Sequence, residues 1–315
     1  MSKICKCILC KSSSVRKIQE VSIKDLEELY FNSFNVDITC ELINLNKINY
    51  YKCENCKLAF FDPIAAGSDI FYEDLQNKRN NYYSSVRNEF LYAKNNINRE
   101  SHILEIGAGN GFFAELINAD NYIGLEFNDN AIKDAQLKGI SLIKKNIECF
   151  SQETKLNFDI VCSFHVLEHV SNPNSFIESA IKVLKKGGKL IIAVPCNNSI
   201  YSNNVNHTLN LPPHHVNRFF IDTMKKIAIL FDLNLLDYRI DSIGIGIDKK
   251  HYMTEFITHK IINLFYPKNK LIINKKKYDQ IRIVVHKFNN KFKLYKFFND
   301  NLVFAENMTF IFEKK

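Results

Sequence analysis

The chain has 315 residues, 46% of them hydrophobic and 24% charged, a balance that buries a real core and excludes a wholly disordered protein. That length holds one large α/β domain with an appendage, or two modest domains. The net charge of +8 fits an acidic partner (a phosphorylated small molecule, a nucleic acid, an anionic membrane surface) as readily as a solvated Lys-rich surface. No run approaches the ~20 apolar residues of a membrane span. The first residues, Met-Ser-Lys-Ile-Cys-Lys-Cys, carry no apolar signal segment, so a cytoplasmic protein is expected.

Nine cysteines without an export signal argue for metal ligation or buried thiols over a disulfide framework. Six precede residue 57, in a pattern with two close pairs, Cys7-x-x-Cys10 and Cys53-x-x-Cys56. Each CxxC turn sets two thiolates on one side of a tight loop, and two such turns complete the tetrahedral sulfur shell that Zn²⁺ takes at ~2.3 Å. Residues 1–66 are therefore expected to form a zinc-binding domain, with a partly helical insertion over 20–48. Cys5 competes for a place beside Cys7, Cys40 has no partner in sequence, and reduced buried thiols are the alternative. A full Cys₄ shell leaves no coordination position for catalysis, so such a zinc is structural.

Residues 67–100 read as a helical linker or lid. The strongest signal follows, in Ser101-His-Ile-Leu-Glu-Ile-Gly-Ala-Gly-Asn-Gly-Phe-Phe-Ala-Glu-Leu-Ile. A buried strand over 102–106 runs into a helix from 111, and Gly107, Gly109 and Gly111 let the backbone turn sharply and approach a ligand. A dinucleotide fingerprint GxGxxG requires glycine at 112, where this chain has Phe112. A second strand, 121–126, ends in the acid Glu126, and a helix spans 129–138. A third strand with its loop follows in Ser141-Leu-Ile-Lys-Lys-Asn-Ile-Glu. A fourth strand starts at Phe158, with a helix over 174–186 that stops at Gly187 and Gly188, and a fifth strand ends at Pro195. Five strands alternating with helices predict a parallel sheet with right-handed crossovers.

The GxGxG spacing after Glu105 resembles motif I of class I S-adenosylmethionine (SAM)-dependent methyltransferases. Phe158-Asp-Ile-Val-Cys-Ser-Phe-His-Val-Leu-Glu-His-Val is similar to the corresponding segment of methyltransferase families that include ubiquinone-biosynthesis and sugar-modifying enzymes. With the two CxxC pairs, the whole chain resembles methyltransferases that carry an N-terminal Cys₄ domain and act on sugars and surface polysaccharides. The resemblance implies an α/β, Rossmann-like, seven-stranded fold with a small zinc-ribbon-like domain, and a core over 101–241. It implies SAM across the glycine loop, Glu126 on the ribose hydroxyls, and Asn146 at the adenine amino group where the family often has Asp, with Ile147 against the ring. His165 falls near the methionine part, and Tyr82 and Tyr83 match an aromatic lid segment before motif I, with packing of the linker as their other reading.

Acceptor chemistry is expected in Asn210-Leu-Pro-Pro-His-His-Val-Asn-Arg-Phe-Phe, at the carboxyl ends of the strands. An imidazole ordinarily titrates near neutrality, so His214 and His215 are candidate general bases, and a resemblance to a His-x-x-x-Phe stretch of glycan methyltransferases favours His215. His169 reads as a structural residue, with capping as one role. A helix with Asp222 as N-cap leads to a sixth strand from Leu233, and 307–313 supplies a seventh, antiparallel strand. Residues 242–315 otherwise form an insertion or cap, with a helix near 250–265 and a Lys-rich run (Lys268, Lys270, Lys275, Lys276, Lys277, Arg282, Lys287, Lys291, Lys293, Lys296). The implied reaction is in-line SN2 methyl transfer to a small-molecule or glycan acceptor, with structural zinc and no membrane span. An RNA methyltransferase and a non-catalytic SAM-fold binding module are the competing readings. Nucleic acid is not the expected partner, because neither an Asn/Asp-Pro-Pro-Tyr/Phe nor a catalytic-cysteine motif follows the fourth strand.

Overall fold

A computed structural model of the chain describes residues 5–78, 87–199, 204–242, 249–266, 270–297 and 305–315. Its first element, β1 (Val15–Ser22), runs into helix α1 (Ile23–Phe34), followed by β2 (Lys47–Cys53) and β3 (Ala59–Asp62). The helix fills the interval between the cysteine pairs. Leu26, Leu29 and Tyr30 recur at helical spacing and are buried, and Asn35 closes the helix in the left-handed region. β1, β2 and β3 pair antiparallel, with Val15 opposite Cys53 and Asn49 opposite Asp62.

Helices α2 (Asp69–Lys78) and α3 (Asn88–Lys94) lead to the alternating series β4 (His102–Ile106), α4 (Phe112–Ile117), β5 (Asn121–Leu125), α5 (Asp129–Leu137), β6 (Leu142–Ile143), α6 (Ile147–Glu153), β7 (Phe158–Phe164), α7 (Pro173–Lys182) and β8 (Leu184–Pro195). After a long loop come β9 (Asn217–Arg218), α8 (Ile221–Leu230), β10 (Leu233–Ser242), α9 (Lys249–Phe265), α10 (Lys275–Phe292) and β11 (Ala305–Lys314). The large sheet has the order β10-β11-β8-β7-β4-β5-β6, with β11 antiparallel to both neighbours. This is the α/β, Rossmann-like seven-stranded fold. Alternate residues of the central strands feed two cores: Leu104, Val161 and Leu190 on one face, Ile103, Ile160 and Ile191 on the other.

Three boundaries differ from expectation. α7 stops at Lys182, and Gly187 and Gly188 lie inside β8. Phe158 pairs with Leu184 but Ile160 with Lys189, so the extra residues bulge outward, and Gly187 supplies the positive φ of 75° that the bulge needs. The third strand is only two residues long, because Asn146 leaves it to cap α6. Asp222 is not an N-cap; α8 starts one residue earlier, and the Phe220 amide donates to Thr223 Oγ1.

The cysteine-bearing sheet is not confined to 1–66. β9, which follows β8 of the large sheet in the chain, joins it beside β3, with Ala59 opposite Arg218 and Phe60 opposite Asn217. The C-terminal insertion is a pair of packed helices, and residues 271 and 272, in the segment before α10, dock on the same region: Gln19 accepts from the Leu271 amide at 2.7 Å and donates to the Ile272 carbonyl at 2.9 Å.

Candidate active site and cysteine centre

The glycine loop links β4 to α4, and Gly107, Gly109 and Gly111 have φ of 77°, 54° and 79°. A Cβ on Gly107 would stand 2.3 Å from Val166 Cγ2, so the loop is closed to any larger residue there. Glu126, just past β5, fastens the loop: its Oε2 accepts the Gly109 amide at 2.8 Å, and its Oε1 accepts those of Phe127 and Asn128 at 2.7 and 2.9 Å. Glu105 ends up buried below the loop, receiving the Tyr122 hydroxyl. Burial pushes its pKa up to about 8 against the opposing pull of that hydrogen bond.

One cavity of about 890 Å³ runs from this loop to the β8–α8 loop. Glu105, Gly107, Gly109, Glu126, Asn146 and Ile147 line it, as do His165, His214 and His215. Gly111 does not reach the cavity and packs against Ile140 and Ala135 at the start of α4. Tyr82 and Tyr83 lie outside the described residues. The amide oxygen of Asn146, expected at adenine, is held by the Cys149 amide at 2.7 Å and serves first as the α6 cap.

His165 sits in the left-handed region with φ of 57°, directly after β7. Its Nε2 is 2.7 Å from Glu89 Oε1, and its Nδ1 is 3.3 Å from Glu168 Oε1. Burial opposes the positive charge, but the hydrogen bonds and charges of Glu168 and Glu89 outweigh it and raise the His165 pKa to about 9. The ring is thus held as a cation between two buried acids, more than the backbone contact expected of it.

His169, His214 and His215 form the opposite wall, with ring centroids 4.4–4.9 Å apart. His169 does not cap a helix. Its Nδ1 lies 2.6 Å from the His214 carbonyl and 2.9 Å from the Tyr72 hydroxyl. His214 Nδ1 lies 2.8 Å from the Leu209 carbonyl, and His215 Nδ1 lies 3.2 Å from Asn210 Oδ1. Burial, with neighbouring histidines adding to it, drives the His215 pKa well below the usual value, so the ring is neutral. The sequence reading missed Glu89, Glu168 and Tyr72. Glu168 carries a signal, a carboxylate directly after the apolar Val166-Leu167, but nothing in sequence brings Glu89 to His165.

The cysteine centre is separate from the cavity. Cys7, Cys10, Cys53 and Cys56 bring their sulfurs within 4.8 Å of one another, with Cys7–Cys56 at 3.5 Å and Cys10–Cys53 at 3.6 Å. A tetrahedral ion with ~2.3 Å bonds needs sulfurs about 3.8 Å apart, so the four residues fit Zn²⁺. The Cys56 thiol and the amides of Cys10 and Leu9 lower Cys7 to about 5, while burial lifts Cys53 to about 11, so the cluster already favours one thiolate. Cys5 and Cys40 stand outside it.

The arrangement defines a Rossmann-like transferase site, with a glycine loop facing a polar wall across one cavity. A family model described as "Methyltransferase domain" matches residues 75–238, more than half of the chain, and the chain belongs to that family. A ubiquinone biosynthesis O-methyltransferase of Dictyostelium discoideum is 30% identical over 110 residues, covering 29% of this chain and 34% of that protein. An uncharacterized Methanocaldococcus jannaschii protein is 34% identical over 113 residues, covering 34% of this chain and 53% of its own. The chain thus spans about a third to a half of the length of these relatives. A solved SAM-dependent methyltransferase from Archaeoglobus fulgidus is 18% identical, with a TM-score of 0.45 over 71% of this chain and 94% of that one.

Proposed function

We propose that the protein transfers a methyl group from SAM to a hydroxyl of a polar small-molecule or glycan acceptor, a nucleotide-sugar or surface polysaccharide by preference. The carrying observation is the single cavity that joins the glycine loop and Glu126 to the histidine wall. SAM supplies an electrophilic methyl on a sulfonium sulfur. In this reading Glu126, whose oxygens also accept the Gly109, Phe127 and Asn128 amides, takes the ribose hydroxyls, the backbone at Gly107 and Gly109 faces the methionine end, and Ile147 lies against adenine. The Glu89–His165–Glu168 trio leaves a negative balance at the methionine end, which favours a positively charged ligand.

The acceptor is held between that end and the wall of His169, His214 and His215, where its proton leaves. Positioning supplies up to about 7–11 kcal/mol of the barrier, and proton removal a further ~10²–10⁴-fold. The relatives named ubiquinone biosynthesis O-methyltransferases support a second acceptor, a hydroxyl of a ubiquinone precursor. A structural zinc at the four cysteines is part of the proposal, on the fit of their sulfurs. The described basic residues give less support to an RNA substrate: α9 and α10 contribute no lining residue to the cavity, and Arg282 is tied to buried Glu255 at 2.5 Å.

The test is a label partition. Purified protein, methyl-labelled SAM and a host lysate are incubated and the products fractionated. Label in the nucleotide-sugar or polysaccharide pool that survives ribonuclease supports the glycan acceptor, and label in the lipid-soluble quinone pool supports the second. Label lost to ribonuclease overturns both.

A further inference from the structure

Helix α10 spends one face on folding. Tyr278, Arg282, Val285 and Asn289 recur at helical spacing and turn toward α9. The Tyr278 hydroxyl donates to Glu255 Oε2 at 2.6 Å, Arg282 pairs with Glu255 Oε1, and Asn289 Nδ2 donates to the Lys250 carbonyl and to Thr254 Oγ1, each at 3.0 Å. A second apolar stripe is left over. Val284, Phe288 and Phe292, one helical turn apart, are 66%, 51% and 51% exposed, and the two phenyl rings lie 4.5 Å apart. Lys287 and Lys291, also one turn apart, run along the neighbouring strip, with Lys276 and Lys277 toward the start of the helix. All four lysines are exposed, and none has an ion-pair partner among the described residues.

We propose that this face of α10 docks on an anionic lipid surface, with Val284, Phe288 and Phe292 entering the interface and the lysines meeting the headgroup phosphates. A helix with aromatic and aliphatic residues on one strip and lysines on the next lies in the plane of a membrane, its apolar side sunk to the headgroup–acyl boundary. The contact is peripheral, because no described helix is long and apolar enough to cross a membrane. The same surface continues onto α9. Ile262 packs with Ile273 and Tyr278, so the exposed Leu264 and Phe265 that end α9 stand at the same end of the pair as Lys275, Lys276 and Lys277.

Charge selects this partner over the alternatives. α10 carries six basic residues and one acid, Asp279. A second copy of the chain would set like charge against like, which opposes pairing. RNA would satisfy the lysines through its phosphates, but it offers nothing to the exposed aliphatic side chains of Ile283 and Val284. The helix is also firmly held. The Asn206 amide donates to the Leu271 carbonyl at 2.7 Å, and Asn206 Oδ1 accepts the Ile273 amide at 3.0 Å, just before α10 begins. His207, the next residue, lines the cavity, so the docking helix hangs on the loop that borders it. The inference stands apart from methyl transfer, and its failure would leave that reading untouched.

The experiment sediments the full-length protein with vesicles of equal parts phosphatidylglycerol and phosphatidylcholine, and with vesicles of phosphatidylcholine alone. Binding to the anionic vesicles is expected, about tenfold or more weaker on phosphatidylcholine and at high salt. The pairs Phe288→Ser with Phe292→Ser, and Lys287→Glu with Lys291→Glu, should each weaken it about tenfold or more while circular dichroism stays unchanged. A second readout needs no loss of binding. The chain has no tryptophan, so Phe288→Trp adds a single reporter. Its emission should shift to the blue on anionic vesicles and be quenched by brominated lipid. No binding to anionic vesicles, or emission that does not move when the protein binds, overturns the proposal. Self-association without vesicle binding, abolished by Phe288→Ser, would make the face a contact between copies. Binding of single-stranded RNA without vesicle binding, weakened by Lys287→Glu and spared by Phe288→Ser, would make it a nucleic-acid surface.

Discussion

Gly107 and His165 each show what one residue imposes on the site. Replacing Gly107 by Ala puts a Cβ against Val166 and strains a φ of 77°. Such strain costs about 1–3 kcal/mol, so Gly107→Ala is expected to weaken SAM binding about tenfold or more in calorimetry; wild-type affinity would remove the loop from the binding site. His165 gives a pH dependence whose sign is fixed. Its folded pKa is raised from 6.5 to about 9, so the stability it contributes is complete below 6.5 and lost as pH rises through about 9. The thermal midpoint should fall over that window, and fall less steeply in Glu89→Gln, which loses one of the two acids holding the charge. Parallel pH curves for the two proteins would contradict the clamp.

Among the elements, α6 gives Asn146 a role that the sequence reading did not assign. The family resemblance implies Asn146 at adenine; its oxygen also caps a seven-residue helix. Asn146→Ala should cost about 1 kcal/mol of stability in denaturant unfolding, and Asn146→Asp, which keeps an acceptor at the cap, should restore it. If SAM affinity follows stability in both, the cap is the whole effect; a separate loss in Ala shows an adenine contact as well. The histidine wall is likewise a product of two loops. His169 follows β7, while His214 and His215 precede β9, and Tyr72 from α2 braces the first.

At the scale of the whole molecule, backbone pairing links the cysteine-bearing sheet to the loop that carries His214 and His215. β3, which follows the second CxxC turn, pairs with β9, two residues beyond His215. Arg218 on β9 is buried and reaches Tyr50 of β2 at 3.5 Å as well as Asn197. Metal removal, or Cys56→Ser, is therefore expected to loosen the histidine wall before the glycine loop, which hangs on the large sheet. Hydrogen exchange should show earlier deprotection of residues 204–220 than of 103–112, and methyl-transfer activity should drop further than SAM affinity. Equal deprotection of both segments would show no such coupling.

Much of this was legible in the chain. Hydrophobic runs with glycine punctuation determined the βα series, because strand and helix periods and left-handed glycines are local properties. The paired CxxC spacing determined the cysteine cluster for the same reason. Even the antiparallel last strand was visible as an apolar run near the end. Glu89 against His165, Tyr72 against His169, and β9 in the cysteine sheet were not legible, since each joins residues tens of positions apart whose meeting depends on how the layers stack. Proton placement on the histidine rings was also left to tertiary structure. A carbonyl or amide oxygen selects a tautomer only once folding has brought it within hydrogen-bond reach of the ring.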